Sequence, residues 1–536
     1  MSPSALENPQ HSRSTPSGGL ARSAGILGLG NIASRVIGLA REAVISGFFG
    51  ASGHLDAFRL AARVPTMVYD LLVGGMLSAA LVPVFSEYNR PDRRDELARV
   101  ASAVFSLIAL AMGITVLLIE AFAGPLAGLL GDFENPELQK VLENCLRLIA
   151  PAVFLFGLTG GVTGLLYALR RFSYTAISGA VFNLGIVILT PLLARSIDIY
   201  VLPLGIVAGS LMQLAVTAPG LRDLRIRLGK TWGHPAVRRI GRLYVPIALG
   251  LIVTQFQIIV DGRWASAAGE QSVSWMGFAT TLIQLPLGLV PVAVSLAALP
   301  SLSYFAVEQD WDGFREIFGR GLRLVLVLLV PATVGLWVLA EPVIRLLFQH
   351  GDFSLADTMM TARALRYYLI GLPFAGVDFL LNYTFYARQN TRTPATVGVV
   401  SVGFYFVTAL LLKAPLGFLG LVLADSAKQA GHAIIMSILL LRSVGRLHRQ
   451  NVLRTLWAAG GVALLMGAGV SLLVHGMGPV IPQGKVGALI TVILGGGLGG
   501  VFYLGALRLL GIEEVTRLVD VILGKMLKRN MSSNGN

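Results

Sequence analysis

Apolar residues run almost unbroken along this chain in stretches long enough to cross a bilayer, which takes roughly 20 residues as a helix. Fourteen such stretches are read, at about residues 22–48, 57–86, 98–130, 142–169, 174–194, 199–220, 240–265, 272–304, 321–348, 359–387, 394–412, 416–441, 455–475 and 485–511. Their apolar character is continuous rather than alternating and is interrupted by Gly and Pro, which spanning helices tolerate and barrel strands do not resemble. The pattern predicts an all-α polytopic membrane protein with 14 transmembrane helices.

Composition agrees: 54% of the 536 residues are hydrophobic and 13% are charged, against about a quarter charged in soluble domains. Mean hydropathy is +0.72. With this many spans the connections must be short, so no sizeable soluble domain fits. Residues 1–21, rich in Ser, Pro and Gly, read as a flexible cytoplasmic tail, and 512–536 as a cytoplasmic C-terminal tail. The first apolar stretch is long and contains arginines, so it reads as a retained helix rather than a cleaved leader.

The net charge of +14 does not indicate nucleic acid, because Lys and Arg collect in alternate loops. Arg90, Arg93 and Arg94 follow the second span, and Arg170 and Arg171 the fourth. Arg222, Arg225, Arg227, Lys230, Arg238 and Arg239 lie between the sixth and seventh. Arg315 and Arg320, Arg388 and Arg392, then Arg442, Arg446 and Arg449, and finally Lys525, Lys528 and Arg529 continue the series. The positive-inside rule then places both termini in the cytoplasm. Cys145 is the only cysteine, which excludes an intramolecular disulfide and reads as apolar filler.

Short matches recur at one offset. Ala79-Ala80-Leu81-Val82-Pro83 returns as Ala297-Ala298-Leu299-Pro300, Tyr167-Ala168 as Tyr386-Ala387, and Pro65 as Pro286, all separated by 217 to 221 residues. Two pseudo-symmetric six-helix lobes follow, 22–220 and 240–441, joined by a basic linker at 221–239, with two C-terminal helices in 442–511 as an appendage. Six spans per copy make the repeats parallel, an arrangement that suits rocking about a central cavity.

The first span carries the chemistry. Asn31, Ser34, Gly38 and Arg41 recur at helical spacing along one face, flanked by Arg35 and Glu42. An arginine inside a spanning helix costs about 2.5–3.5 kcal/mol on insertion scales and so calls for a partner or an anionic cargo. Either reading fits the stripe: helix-helix glue, or cargo contact. At about 1.5 Å rise per residue, Arg35 meets Asp70 of the second span in depth, and Arg41 meets Arg63. An Arg35 to Asp70 ion pair is therefore expected, leaving Arg41 and Arg63 as a positive pocket suited to a phosphate or diphosphate. Arg59 is expected to snorkel to the interface.

In the second copy, Asp261 is a candidate for ion coupling or a partner for Arg263, beside Gln255 and Gln257. Asp378 with Asn382, and Lys428 with His432, each stand one turn apart and could line a cavity or bridge helices. Phosphate-loop, zinc-helix and cysteine-nucleophile patterns do not occur. Gly495-Gly496-Gly497-Leu498-Gly499-Gly500 lies in an apolar helix and reads as close packing. The chain is not expected to be an enzyme or to hold a cofactor; a monovalent-cation gradient, the membrane potential or the cargo gradient would supply energy.

Ser34-Arg35-Val36-Ile37-Gly38-Leu39-Ala40-Arg41-Glu42, followed by Phe49-Gly50-Ala51 and Asp56-Ala57-Phe58, resembles the MurJ (MviN) lipid II flippase family. The likeness continues through Leu81-Val82-Pro83 with Glu87-Tyr88, Leu299-Pro300-Ser301-Leu302-Ser303, Leu346-Leu347-Phe348-Gln349-His350-Gly351 and Phe385-Tyr386-Ala387-Arg388 with Thr393-Pro394, over about residues 22–510. The resemblance implies the multidrug/oligosaccharidyl-lipid/polysaccharide exporter superfamily and a bacterial cytoplasmic membrane location. It implies lipid II, the undecaprenyl-diphosphate-linked peptidoglycan precursor, as cargo moved outward by alternating access, and cell-wall synthesis proteins as candidate partners. On matching positions, Arg35 and Arg41 would hold the diphosphate and Asp56 would support an outer gate. The chain departs from the pattern where a cavity arginine is common: Tyr69-Asp70 and Gly74-Gly75 stand in helix two, and Thr280-Thr281 in helix eight. Arg63 and Arg263 are the candidates to restore that charge. An exporter of another polyprenyl-linked glycan, a cation-coupled exporter of small amphipathic molecules and a non-transporting scaffold are the alternatives.

Overall fold

The computed structural model describes residues 17–71, 80–227, 229, 233–447, 450–477, 482, 484–517 and 520. Gly74, Gly75, Ala79, Lys230, Arg449, Lys525, Lys528, Arg529 and residues 1–16 lie outside that set. The first half holds α1 (Ser17–Phe49), α2 (Gly53–Tyr69), α3 (Val82–Tyr88), α4 (Arg94–Ala121), α5 (Ala123–Leu130), α6 (Pro136–Ala168), α7 (Phe172–Ala176), α8 (Ser178–Ile197) and α9 (Val201–Thr217). The second holds α10 (Pro235–Ala267), α11 (Ser272–Val307), α12 (Trp311–Val338), α13 (Ala340–Leu347), α14 (Leu355–Ala387), α15 (Arg392–Leu416) and α16 (Phe418–Val444), followed by α17 (Val452–Met477) and α18 (Lys485–Leu509).

Helix lengths repeat between the halves. α1 and α10 have 33 residues each, α4 and α12 have 28, α5 and α13 have 8, and α6 and α14 have 33. The stretches 98–130 and 321–348, each read as one span, both end in a separate short helix. Local signals set several starts. Asn135 accepts the Glu137 amide with Pro136 opening α6, and Ser354 with Asp357 closes a capping box on α14.

The chain is an all-helical polytopic membrane protein. Among the described residues nine helical stretches are long and apolar enough to cross a bilayer. α1, α2, α10 and α16 are not among them: α2 is described over only 17 residues, and charged residues interrupt the other three, Arg35, Arg41 and Glu42 in α1, Asp261 in α10, and Asp425 and Lys428 in α16. A spanning helix keeps such groups only where protein or water solvates them.

The buried core divides along the bundle's length. At the distal end, where α1 finishes, a single cluster joins both halves, with Phe58, Leu60 and Leu142 of the first packed with Phe278, Phe348 and Phe353 of the second. At the proximal end the clusters separate: one holds Leu81, Phe85, Val104 and Leu166 with Leu224 and Ile240, the other Phe314, Leu380, Phe385 and Met436. Apart from the start of α10, which packs with the first half through Ile240, the halves are thus fused at one end and apart at the other.

The linker is tied to the first half. The Arg227 and Gly229 amides donate to the Ser102 and Ser106 hydroxyls of α4 at 3.0 and 2.9 Å. Asp223 accepts from Arg171 at 2.6 and 2.7 Å and from Arg94 at 2.7 Å. The Arg171 hydrogen bonds hold the Asp223 carboxyl below its ordinary range.

Candidate functional site

Between the halves lies a cavity of about 540 Å³, bordered by Arg41 and Glu42 of α1, Arg59 and Arg63 of α2, Asp70 just past its end, Phe182 of α8, Asp261 of α10 and Gln284 of α11. α2 supplies two of its arginines because positions four apart share a helix face. Arg41 donates to Glu42 Oε1 at 2.7 Å and to Asn183 Oδ1 of α8 at 2.9 Å. Glu42, 2% exposed, also accepts from Arg59 at 2.6 Å. The Arg59 guanidinium lies 4.6 Å over the Phe278 ring, an attraction between a cation and the ring's negative face. Arg63 donates to the Ile258 carbonyl at 2.7 Å and stands 3.6 Å from Asp261, which accepts from the Tyr405 hydroxyl at 2.6 Å.

Several expectations are corrected. Arg59 does not snorkel: its side chain is 15% exposed and faces the cavity, since Glu42 offers a desolvated carboxylate within reach. Arg35 does not pair with Asp70; it donates to the Gln284 carbonyl of α11. Depth along a helix fixes a residue's level but not its direction around the axis, and Arg35 turns toward α11. Asp261 does not pair with Arg263, which instead reaches Asp132 at 3.2 Å and the Gly128 carbonyl at the distal end. The charge expected from Arg263 is therefore supplied by Arg59. Ser34 and Gly38 face α8, where Ser34 lies against Gly179 and its carbonyl accepts from Asn183 at 3.3 Å. Asn31 is exposed and borders no part of the cavity.

Asp56 is fully buried at the distal seam. It accepts from the Ser274 and Val273 amides at 2.7 and 3.3 Å and from the Ser274 hydroxyl, so a side chain of the first half satisfies the first turn of α11 in the second. A carboxylate there also meets the positive end of the helix dipole. Nearby, the Asp352 amide donates to the Gly47 carbonyl at 3.2 Å and the Asp132 amide to Ser266 at 2.9 Å.

Behind Asp261, Gln257 accepts from Lys428 at 3.4 Å, and Lys428 pairs with Asp425 at 2.7 Å. Asn382 donates to Asp378 at 2.9 Å, and His432 contacts Asp378. These groups bridge helices of the second half and do not border the cavity.

The sequence reading passed over three features. Asn183, a lone amide in an apolar span, orients Arg41. Tyr405 holds Asp261. Gly262, Gly277 and Gly288 receive the guanidiniums of Arg63, Arg59 and Arg35: a Cβ at those glycines would come within 2.3, 2.5 and 1.8 Å of them. Each of these three arginines crosses to a bare patch of backbone in the second half.

The profile of the family described as "Lipid II flippase MurJ" matches residues 45–490. A probable lipid II flippase MurJ of Bdellovibrio bacteriovorus is 29% identical over 509 residues, 93% of this chain and 96% of that one. The lipid II flippase MurJ of Burkholderia cenocepacia is 30% identical over 392 residues, 70% and 74% respectively. Among solved structures, a lipid II flippase MurJ in an inward closed conformation superposes with a TM-score of 0.77 at 24% identity, covering 91% of this chain and 99% of that one. A multidrug resistance MATE family transporter in an inward-facing conformation gives 0.63 at 14% identity, covering 77% and 95%. The fold is thus shared with both groups, and the profile match over most of the length shows that this chain belongs to the lipid II flippase MurJ family.

Proposed function

We propose that this chain moves lipid II from the inner to the outer leaflet of the cytoplasmic membrane by alternating access. The observation that carries the reading is the convergence of Arg41, Arg59 and Arg63 on one cavity between the halves. Guanidinium forks donate parallel hydrogen bonds to phosphate oxygens and stay charged at any physiological pH. Arg41 and Arg63 contact the diphosphate directly, with Arg59 fixed by Glu42 behind them, and Arg35 lies below, toward the proximal end. A flippase makes and breaks no covalent bond, so the chain is a transporter and not an enzyme.

In this reading fourteen spans form lobes at 22–220 and 240–441, joined by the linker at 221–239, with helices thirteen and fourteen appended in 442–511. Both termini are cytoplasmic, and the distal seam at Asp56 is the outer gate. The separate proximal clusters then admit cargo from the inner leaflet. Asp70 supplies a counter-charge at the cavity's proximal side. Asp261 is the carboxylate we assign to coupling with a monovalent cation or the membrane potential.

The test is depletion of the protein with leaflet-resolved measurement of lipid II, complemented by Arg41→Ala and Arg63→Ala variants. Lipid II should accumulate on the inner leaflet, and neither variant should relieve it. Unchanged leaflet distribution on depletion, or full rescue by both variants, would refute the reading. Drug sensitivity without a lipid II defect would point to an exporter of small amphipathic molecules.

A further inference from the structure

Of the three carboxylates that border the cavity, Glu42 and Asp261 face arginines, and they hold them differently. Glu42 is 2% exposed and sits 2.7 and 2.6 Å from Arg41 and Arg59, so it is a fixed part of the wall. Asp261 stands 3.6 Å from Arg63, and those side chains keep 20% and 22% of their surface open. The short bond made by Asp261 runs the other way, to Tyr405 at 2.6 Å. Arg63 is tethered by a neutral group, the Ile258 carbonyl at 2.7 Å, which leaves its second nitrogen facing a loosely held anion.

A guanidinium presents the same fork to a phosphate as to a carboxylate, so Asp261 and an incoming anionic headgroup contend for the same nitrogen. We infer that Asp261 is a built-in stand-in for the cargo's diphosphate: it occupies Arg63 while the cavity is empty and gives way when the diphosphate binds. Tyr405 is the positioning residue that keeps the released carboxylate against the second half. The other groups around it fit that role. Lys428 is already engaged by Asp425 at 2.7 Å and by Gln257 at 3.4 Å, and Tyr368 closes the adjoining wall. The exchange rests on the proposed function and deepens it. A competing anion holds down affinity for bound cargo, and a carrier must release what it binds; uniformly tighter binding does not speed turnover.

The experiment measures binding of undecaprenyl diphosphate to the purified full-length protein in detergent, and lipid II turnover in proteoliposomes. Asp261→Asn, which keeps the shape and removes the charge, should bind about 10-fold more tightly, a change of about 1.4 kcal/mol, and turn over more slowly. Tyr405→Phe should bind several-fold more weakly, because the freed carboxylate closes on Arg63. A role in packing alone would weaken binding in both variants. If the wild type binds, Arg63→Ala weakens that binding and Asp261→Asn does not tighten it, the stand-in is refuted while the cavity assignment survives. If Asp261→Asn does not fold, Tyr405→Phe decides, and unchanged or tighter binding refutes the stand-in. A wild type that does not bind, or that Arg63→Ala leaves unaltered, overturns both.

Discussion

The distal seam and the proximal surface both rely on charged residues, yet they use them in opposite ways. At the seam one fully buried carboxylate, Asp56, meets the backbone of the other half, and no solvent shares the work. At the proximal end the pairs are open to water: Arg239 with Glu87 are 56% and 47% exposed, and Arg94 with Asp223 are 56% and 33%. Buried groups lose heavily when a partner goes, whereas exposed pairs are screened and contribute little. The difference teaches where the two halves are joined in this conformation. They are joined at the seam, and the proximal pairs tie the linker and the start of α10 to the first half.

The sharpest way to break this comparison is Asp56→Ala. It strands two amides of α11, and we expect about 2–4 kcal/mol of destabilisation with loss of complementation, read by thermal unfolding in detergent and by growth. A change no larger than that of a surface pair would erase the distinction. Gly351→Ala should come next, at about 1–3 kcal/mol. Gly351 has φ +57°, and an added Cβ would lie 1.8 Å from the Gly47 carbonyl oxygen, so the backbone must part. Labelling of a cysteine introduced at Ala51, which is 4% exposed, should then rise.

On the other side of the comparison, Arg239→Ala should cost at most about 1 kcal/mol, with an effect that fades as salt is raised. The smallest effect belongs to Asp223→Asn, and its sign follows from the hydrogen bonds of Arg171. A carboxyl whose folded value is depressed stabilises above its unfolded value, about 3.9, and loses that contribution as pH falls through the folded value. The wild type and the variant should therefore differ slightly at neutral pH and converge in acid, as thermal midpoints across pH would show.

The sequence made the helices legible because lipid imposes one rule on every span, and even the duplicated lengths of α4 and α12 are foreshadowed by the offset between Pro83 and Pro300. The site was legible only in part. Arg41, Glu42 and Arg63 stood out because charge inside apolar sequence is rare. Arg59 was misjudged although its spacing from Arg63 places both on one face, since a residue near a helix end has water as an alternative partner. Arg35 was misplaced because helical rise gives a level and not a direction. The receiving glycines of α10 and α11 had no signal, as a missing side chain is informative only once its visitor is known. Of the helices interrupted by charge, α1 and α10 carry Arg41, Glu42 and Asp261 to the cavity, whereas Asp425 and Lys428 of α16 stand behind it, so a charge inside an apolar helix marks function in some places and packing in others.

The linker has a mechanical consequence. The Arg227 and Gly229 amides are held at Ser102 and Ser106 of α4, and Ile240 near the start of α10 packs in the first half's proximal cluster. Further along, Asp261 of the same helix is bonded to Tyr405 of α15, so α10 begins as a member of one half and ends as a member of the other.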